Sequence, residues 1–254
     1  MTRLVPIILL ASAALLLAAF AGWEVRSKHR GIEPLVDLAL FHERSFTIGL
    51  LAQVAFYMSM AGFYLVLALY LQGGRGLTPL QAGLIFIANG AGYLCTSSLV
   101  GKFAKRLDRQ VIALAGLVRA AGLGVLLLTV TAIGVAGSSL WLVPGLLLNG
   151  AGTGLAVSPL ASTVLSRIGA RRVGAASGVL TTGLQVGNAL GVAVIGVIFY
   201  AALRQSPANY AHAFGSALVY LIAISVALIA LVQLLPASHA PRVARSQAGG
   251  SGCS

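Results

Sequence analysis

The chain has 254 residues, of which 58% are hydrophobic and 9% charged, with mean hydropathy +0.95. That is too little charge to cover the surface of a soluble domain of this size. The net charge of +12 does not point to nucleic acid, because the basic residues form no single patch and sit in short loops between apolar segments.

Seven segments are long enough to cross a bilayer as helices, which takes about 20 apolar residues. They are Leu4–Trp23, Phe46–Leu71, Leu80–Gly101, Val111–Val135, Ser139–Leu165, Val173–Leu203 and Ala211–Leu235. A membrane barrel would show alternating segments of about ten residues instead. The expected fold is therefore all-α and integral to the membrane. Its parts are an extra transmembrane helix at 1–23, a cytoplasmic loop at 24–45, a six-helix bundle at 46–235 and a disordered tail at 236–254.

The first segment also has signal-peptide features: Arg3, an apolar run and Ala19-Phe20-Ala21. Cleavage there would leave Glu24–Ser45 outside and invert the charge bias of every later loop, so we read a genuine helix. The following stretch, Glu33 to Phe41, carries Leu35, Leu38 and Phe41 at helical spacing. It suits a surface helix or a plain loop equally. Further on, Gly73, Gly74 and Gly76 precede Thr78-Pro79, an N-cap followed by proline at the first helical position. Gly137-Ser138-Ser139 reads as a tight turn, and Ser206-Pro207 with Asn209 as another loop.

Lys and Arg set the orientation. Arg26, Lys28, Arg30, Arg44, Lys102, Lys105, Arg106, Arg109, Arg167, Arg171, Arg172, Arg242 and Arg245 fall on one side. Arg3, Arg75 and Arg204 fall on the other. The bias places the first group in the cytoplasm, the N-terminus outside and the C-terminus inside a cell membrane. Arg119 alone lies within a span. In an apolar and peripheral helix, its long side chain is expected to snorkel toward the headgroups, with anion binding as the functional alternative.

All five acids (Glu24, Glu33, Asp37, Glu43, Asp108) lie outside the spans, so no intramembrane carboxylate is available as a proton carrier. Uncharged polar residues do form stripes at helical spacing. These are Gln53, Tyr57 and Tyr64 in the second span, and Asn89, Tyr93 and Thr96 in the third. Asn149 and Thr153 follow in the fifth, then Ser177, Thr181, Gln185 and Asn188 in the sixth. Any one of them is ordinary hydrogen-bonding glue between helices. Together they are expected to line a polar cavity, with the unstriped fourth and seventh spans facing lipid. Gly183, Gly187 and Gly191 form a small-residue ridge for close helix packing, and the fifth span adds Gly150, Gly152, Gly154 and Pro159.

Catalytic chemistry has no footing: there is no Ser-His-Asp arrangement, no HExxH and no phosphate-cradling GKS or GKT. His29, His42 and His212 lack partners at metal spacing, and Cys95 and Cys253 make no framework. No enzyme, metal or cofactor is expected.

Four stretches carry a family resemblance. They are PLVDLALFHERSF at 34–46, LYLQ at 69–72 with LTPLQAGL at 77–84, GLLLNGAGTGLAVSPL at 145–160, and RRVGAASGVLTTGLQVGNALGVAVIGVIFY at 171–200. Over about residues 5–235 the chain resembles the C-terminal part of a fourteen-helix drug:proton antiporter of the major facilitator superfamily. Gly101 to Arg109 resembles that superfamily's cytoplasmic loop motif, with Gly101, Arg106 and Arg109 retained. It departs at Lys105, where the family has an acid, and at Asp108, where it has glycine. The resemblance implies that the first span is the second of two extra central helices, and that the other six form the C-terminal bundle. The first, second, fourth and fifth helices of such a bundle line the central cavity, and these are the four striped spans.

The implied function is efflux of lipophilic small molecules, cationic ones among them, with Gln53, Tyr57, Asn89, Tyr93, Asn149, Thr153, Thr181, Gln185 and Asn188 lining the substrate cavity. The implied partners are the lipid bilayer, a lipophilic substrate and an N-terminal bundle bearing the proton site. The alternative is a non-transporting membrane fragment, or an assembly partner of a separately encoded N-terminal half.

Overall fold

Thr78 and Pro79 start a helix as their order requires. The Thr78 hydroxyl accepts from the Gln81 amide at 3.3 Å, and the Gln81 side-chain oxygen accepts from the Thr78 amide at 3.0 Å. This reciprocal pair closes the first turn. The preceding Gly76 takes φ +67°, where a Cβ would be strained. Asn209 caps the last helix in a similar way, its Oδ1 accepting from the His212 amide at 3.0 Å.

The computed structural model describes residues 12, 15–16, 18–19, 22–23, 41, 43–107, 110–165, 168, 173–206 and 209–233. Among them every long element is a helix: α1 (Arg44–Leu69), α2 (Pro79–Leu107), α3 (Gln110–Ile133), α4 (Val143–Leu165), α5 (Val173–Gln205) and α6 (Tyr210–Gln233). A π-helical turn, Tyr70–Gly74, extends α1, and a 3₁₀ turn, Ser139–Leu142, leads into α4. Each of the six is long and apolar enough to span a membrane. Of the first expected span only scattered residues are described, all helical. The Glu33–Phe41 segment up to Leu40, and the tail from residue 236, lie outside the described residues. The third expected span ends at Gly101, whereas α2 continues to Leu107. Gly101 and Arg106 of the loop motif are therefore helical, because nothing in Lys102–Leu107 breaks a helix; Arg109 lies outside the described residues.

Neighbours in the bundle run α2, α4, α3, α6, α1, α5, with α1 also meeting α4 near the centre. The packing is between small residues, as expected where lipid removes the hydrophobic drive for helices to associate. Gly150 and Gly154 bring α4 onto the α2 backbone at Asn89 and Tyr93, while Gly152 brings it onto α3 at Arg119. Gly183, Gly187 and Gly191 are buried against Leu50, Val54 and Met58 of α1. Close approach between neighbouring helices is thus what Gly150, Gly152, Gly154, Gly183, Gly187 and Gly191 do in this structure.

The unstriped helices keep exposed apolar residues, such as Leu117 and Leu128 on α3 and Val219 and Val226 on α6, yet are not the least buried of the six. α3 and α6 pack on one another, and 50% and 39% of their span residues are buried, against 17% for α2 and 22% for α5. A uniformly apolar helix suits lipid and protein alike, so lack of a polar stripe does not select lipid.

One end of the bundle is tied by a small polar knot. Tyr70 Oη donates to the Gly134 carbonyl at 2.6 Å, and Arg75 Nη1 donates to Tyr70 Oη at 3.0 Å and to the same carbonyl at 3.3 Å. The Tyr70 ring stacks on Phe214 at 4.6 Å. This joins the ends of α1, α3 and α6. Tyr70→Phe keeps the stack and loses the hydroxyl. Thermal unfolding of the purified protein in detergent micelles should show a loss of about 1 kcal/mol.

Candidate functional site

Polar side chains from three helices meet inside the bundle. Asn149 on α4 donates through Nδ2 to Asn89 Oδ1 on α2 at 3.0 Å, and Asn89 Nδ2 donates to Tyr64 Oη on α1 at 3.1 Å. Thr96 Oγ1 on α2 donates to the Ala151 carbonyl on α4 at 2.9 Å. Across the bundle, Gln53 Nε2 on α1 donates to the Leu180 carbonyl on α5 at 2.8 Å. Thr153 is buried and returns its hydroxyl to its own helix, at the Asn149 carbonyl.

The expected cavity residues therefore separate into three groups. Gln53, Asn89, Asn149 and Thr153 are buried among packed helices rather than facing open space. An amide in an apolar interior must find a partner, and the nearest are backbone carbonyls and amides on the next helix. Tyr57, Tyr93 and Asn188 are half-buried. Tyr57 and Tyr93, on α1 and α2, are close enough to interact electrostatically, and Tyr57 stacks edge-on to Phe56 at 5.3 Å. Thr181 and Gln185 are exposed on α5, with Thr181 bonded to the Ser177 carbonyl.

Arg119 corrects the snorkelling expectation. Its side chain is 2% exposed and turns into the bundle. Nη2 donates to Ser59 Oγ on α1 at 3.1 Å, and the guanidinium lies over the Phe56 ring at 5.1 Å from its centroid. Nε and Nη1 are buried without a hydrogen-bond partner among the described residues, as are Asn149 Oδ1 and Gln53 Oε1. The reason is local. Gly152 lets α4 close over the Arg119 backbone, and Ser59 with Phe56 offers an inward hydroxyl and ring face. Nothing in the spacing of Phe56 and Ser59 marked them as partners of a residue sixty positions away; a small hydroxyl beside an aromatic was the sole local sign.

A cavity of about 730 Å³ opens between α1 and α5, lined by Phe41, Leu50, Val54, Ala175, Val179 and Val186 among others. It is mostly apolar, and none of the nine expected cavity residues lines it. Among the described residues no group of three His, Cys, Asp or Glu side chains is placed to hold a metal.

Comparison with known proteins agrees with this architecture. The sequence matches the Major Facilitator Superfamily in two overlapping stretches, residues 3–192 and 49–251. It is 34% identical over 205 residues to a probable actinorhodin transporter of Streptomyces coelicolor, covering 77% of this chain and 34% of that protein. It is 31% identical over 205 residues to the multidrug resistance protein Stp of Mycobacterium tuberculosis, covering 81% and 37%. Against the multidrug efflux pump LfrA of Mycolicibacterium smegmatis it is 30% identical over 189 residues, covering 72% and 36%. The matched region spans roughly a third of the length of these relatives. A bundle of six apolar helices, knit by interhelical amides and glycine contacts and matched over most of its length, is a membrane protein that belongs to the Major Facilitator Superfamily.

Proposed function

We propose that α1–α6 form one bundle of an efflux transporter for lipophilic small molecules, and that a second bundle packs beside α2 and α5. One observation carries the reading: Gln185 is exposed near the middle of α5, within a helix of 33 residues. A side-chain amide held against hydrocarbon without a partner is costly. Facing a water-filled path or a companion bundle, it is satisfied. The low burial of α2 and α5, at the two ends of the packing order, supports the same placement. In this reading Gln185, Asn188, Tyr57 and Tyr93 belong to the substrate wall, while Gln53, Asn89, Asn149 and Thr153 hold that wall rigid. The names of the relatives, which include efflux pumps, favour export.

The chain contributes no carboxylate within its spans, so coupling to protons comes from the companion bundle. Rocking of two bundles about a site near the midplane then moves the substrate. The Lys- and Arg-rich helix ends lie in the cytoplasm of a cell whose plasma membrane holds the protein.

The test is dye accumulation in a host stripped of its own efflux pumps. Expressed alone, the chain should leave accumulation of a lipophilic fluorescent dye unchanged. Fused behind the N-terminal bundle of a relative, it should lower accumulation severalfold in a manner abolished by a protonophore. Energy-dependent extrusion by the chain alone would overturn the need for a second bundle.

A further inference from the structure

We infer that Arg119 is the anion-recognition group of this bundle, taking a carboxylate or phenolate oxygen of a lipophilic substrate. The inference rests on the reading of the bundle as a substrate wall, and it narrows the class of compound.

Three observations lead to it. The first is charge. No Asp or Glu lies within any span, and Arg119 is the only Lys or Arg there. A bundle interior with one positive group and no negative one is suited to an anionic ligand and unsuited to a cationic one.

The second is the state of the guanidinium. It is buried, and among the described residues its one hydrogen bond is to Ser59 and its one ring contact is to Phe56. A guanidinium has five N–H donors. Among the described residues, Nε and Nη1 have no hydrogen-bond partner. An ionisable side chain inside a membrane protein is expensive to hold, and is found where it pairs or binds. Here the pairing acid is absent from the spans, and an anionic oxygen is the group that would complete the two free donors.

The third is position. Ser59, which holds Nη2, lies between half-buried Met58 and Met60 on α1, two residues from half-buried Tyr57. Asn149 lies one turn from Gly152, which packs on the Arg119 backbone, and its Oδ1 also lacks a hydrogen-bond partner among the described residues. The neighbourhood is therefore polar and incompletely paired, unlike the apolar groove between α1 and α5.

The experiment uses the purified full chain in nanodiscs of zwitterionic lipid. The probes are pyrenebutyric acid, its amide and a pyrenebutyl-trimethylammonium ion, read by fluorescence anisotropy. The acid should bind saturably and about tenfold more tightly than the amide, with the cation weakest. Arg119→Gln should bring the acid to parity with the amide, Arg119→Lys should keep part of the preference, and Ser59→Ala should keep all of it. The chain carries a net charge of +12, so diffuse attraction also favours acids. One substitution changes that total little, and loss of the whole preference in Arg119→Gln reports the site. Circular dichroism checks the fold of each variant, and if Arg119→Gln fails to fold, Arg119→Lys decides, since it leaves the net charge unchanged and an undiminished preference there overturns the inference. Equal binding of acid and amide, or a preference that survives in Arg119→Gln, overturns the inference and leaves the transporter reading standing. Failure of all three probes to bind also overturns the inference, while the transporter reading is decided separately by dye accumulation in the fused protein.

Discussion

Gly150→Leu should open the α2–α4 contact and lower the stability of the bundle by about 3 kcal/mol, toward the upper end of overpacking costs. A side chain at position 150 would point straight at the Asn89 carbonyl, and the nearest neighbours are backbone atoms that have nowhere to move. The contact is reciprocal. Gly154 on α4 faces the Tyr93 carbonyl, and Gly92 on α2 faces the Leu147 carbonyl. Separation of the backbones also stretches the bond from Asn149 to Asn89, which depends on the same approach. Gly90→Ala on α2 and Gly124→Ala on α3 are the controls, since nothing lies within 4 Å of a Cβ at either position. They should be neutral or stabilise by up to about 1 kcal/mol, the gain of alanine over glycine inside a helix. Unfolding midpoints in mixed detergent and SDS micelles measure all three. A Gly150→Leu midpoint equal to that of the controls would remove this contact from the structure.

Arg119→Met should raise the stability of the isolated bundle by about 2 kcal/mol, because buried charges with incomplete partners are often improved by an apolar residue of similar volume. Methionine is flexible enough to fill the space over Phe56. What is lost is one hydrogen bond to Ser59, whose hydroxyl can turn to its own backbone, and one ring contact. Arg119→Ala should behave differently and lose stability, since it leaves a void. A gain in midpoint for methionine, together with loss of the preference for acidic probes, would show a residue kept for binding at the expense of stability. A drop of more than about 2 kcal/mol on Arg119→Met would instead make the guanidinium a net stabiliser through Ser59 and Phe56, against the desolvation argument.

The striped helices show where reading by periodicity succeeds and where it stops. Spacing placed Asn89 and Tyr93, or Gln53 and Tyr57, on a common face of one helix. It carried no information on what that face would meet. Asn89 turned out to join Asn149 and Tyr64, whereas Gln185, on an equally regular stripe, is exposed. The neighbouring helix supplies the partner for Asn89, and no described helix of this bundle covers Gln185.

The sequence by itself determined that this protein is a set of membrane-crossing helices. Bilayer thickness fixes how long an apolar segment must be, and local chemistry at Thr78-Pro79, Gly76 and Asn209 fixes where helices start and stop. Both are properties of short stretches of chain. Only the tertiary structure decided that α3 and α6 are well packed while α2 and α5 are open, and that Arg119 points inward to Ser59 and Phe56. In lipid, association between helices is governed by small-residue contacts and hydrogen bonds between residues distant in sequence, such as Gly150 with Asn89 and Gly152 with Arg119. Those contacts exist only once the helices are side by side.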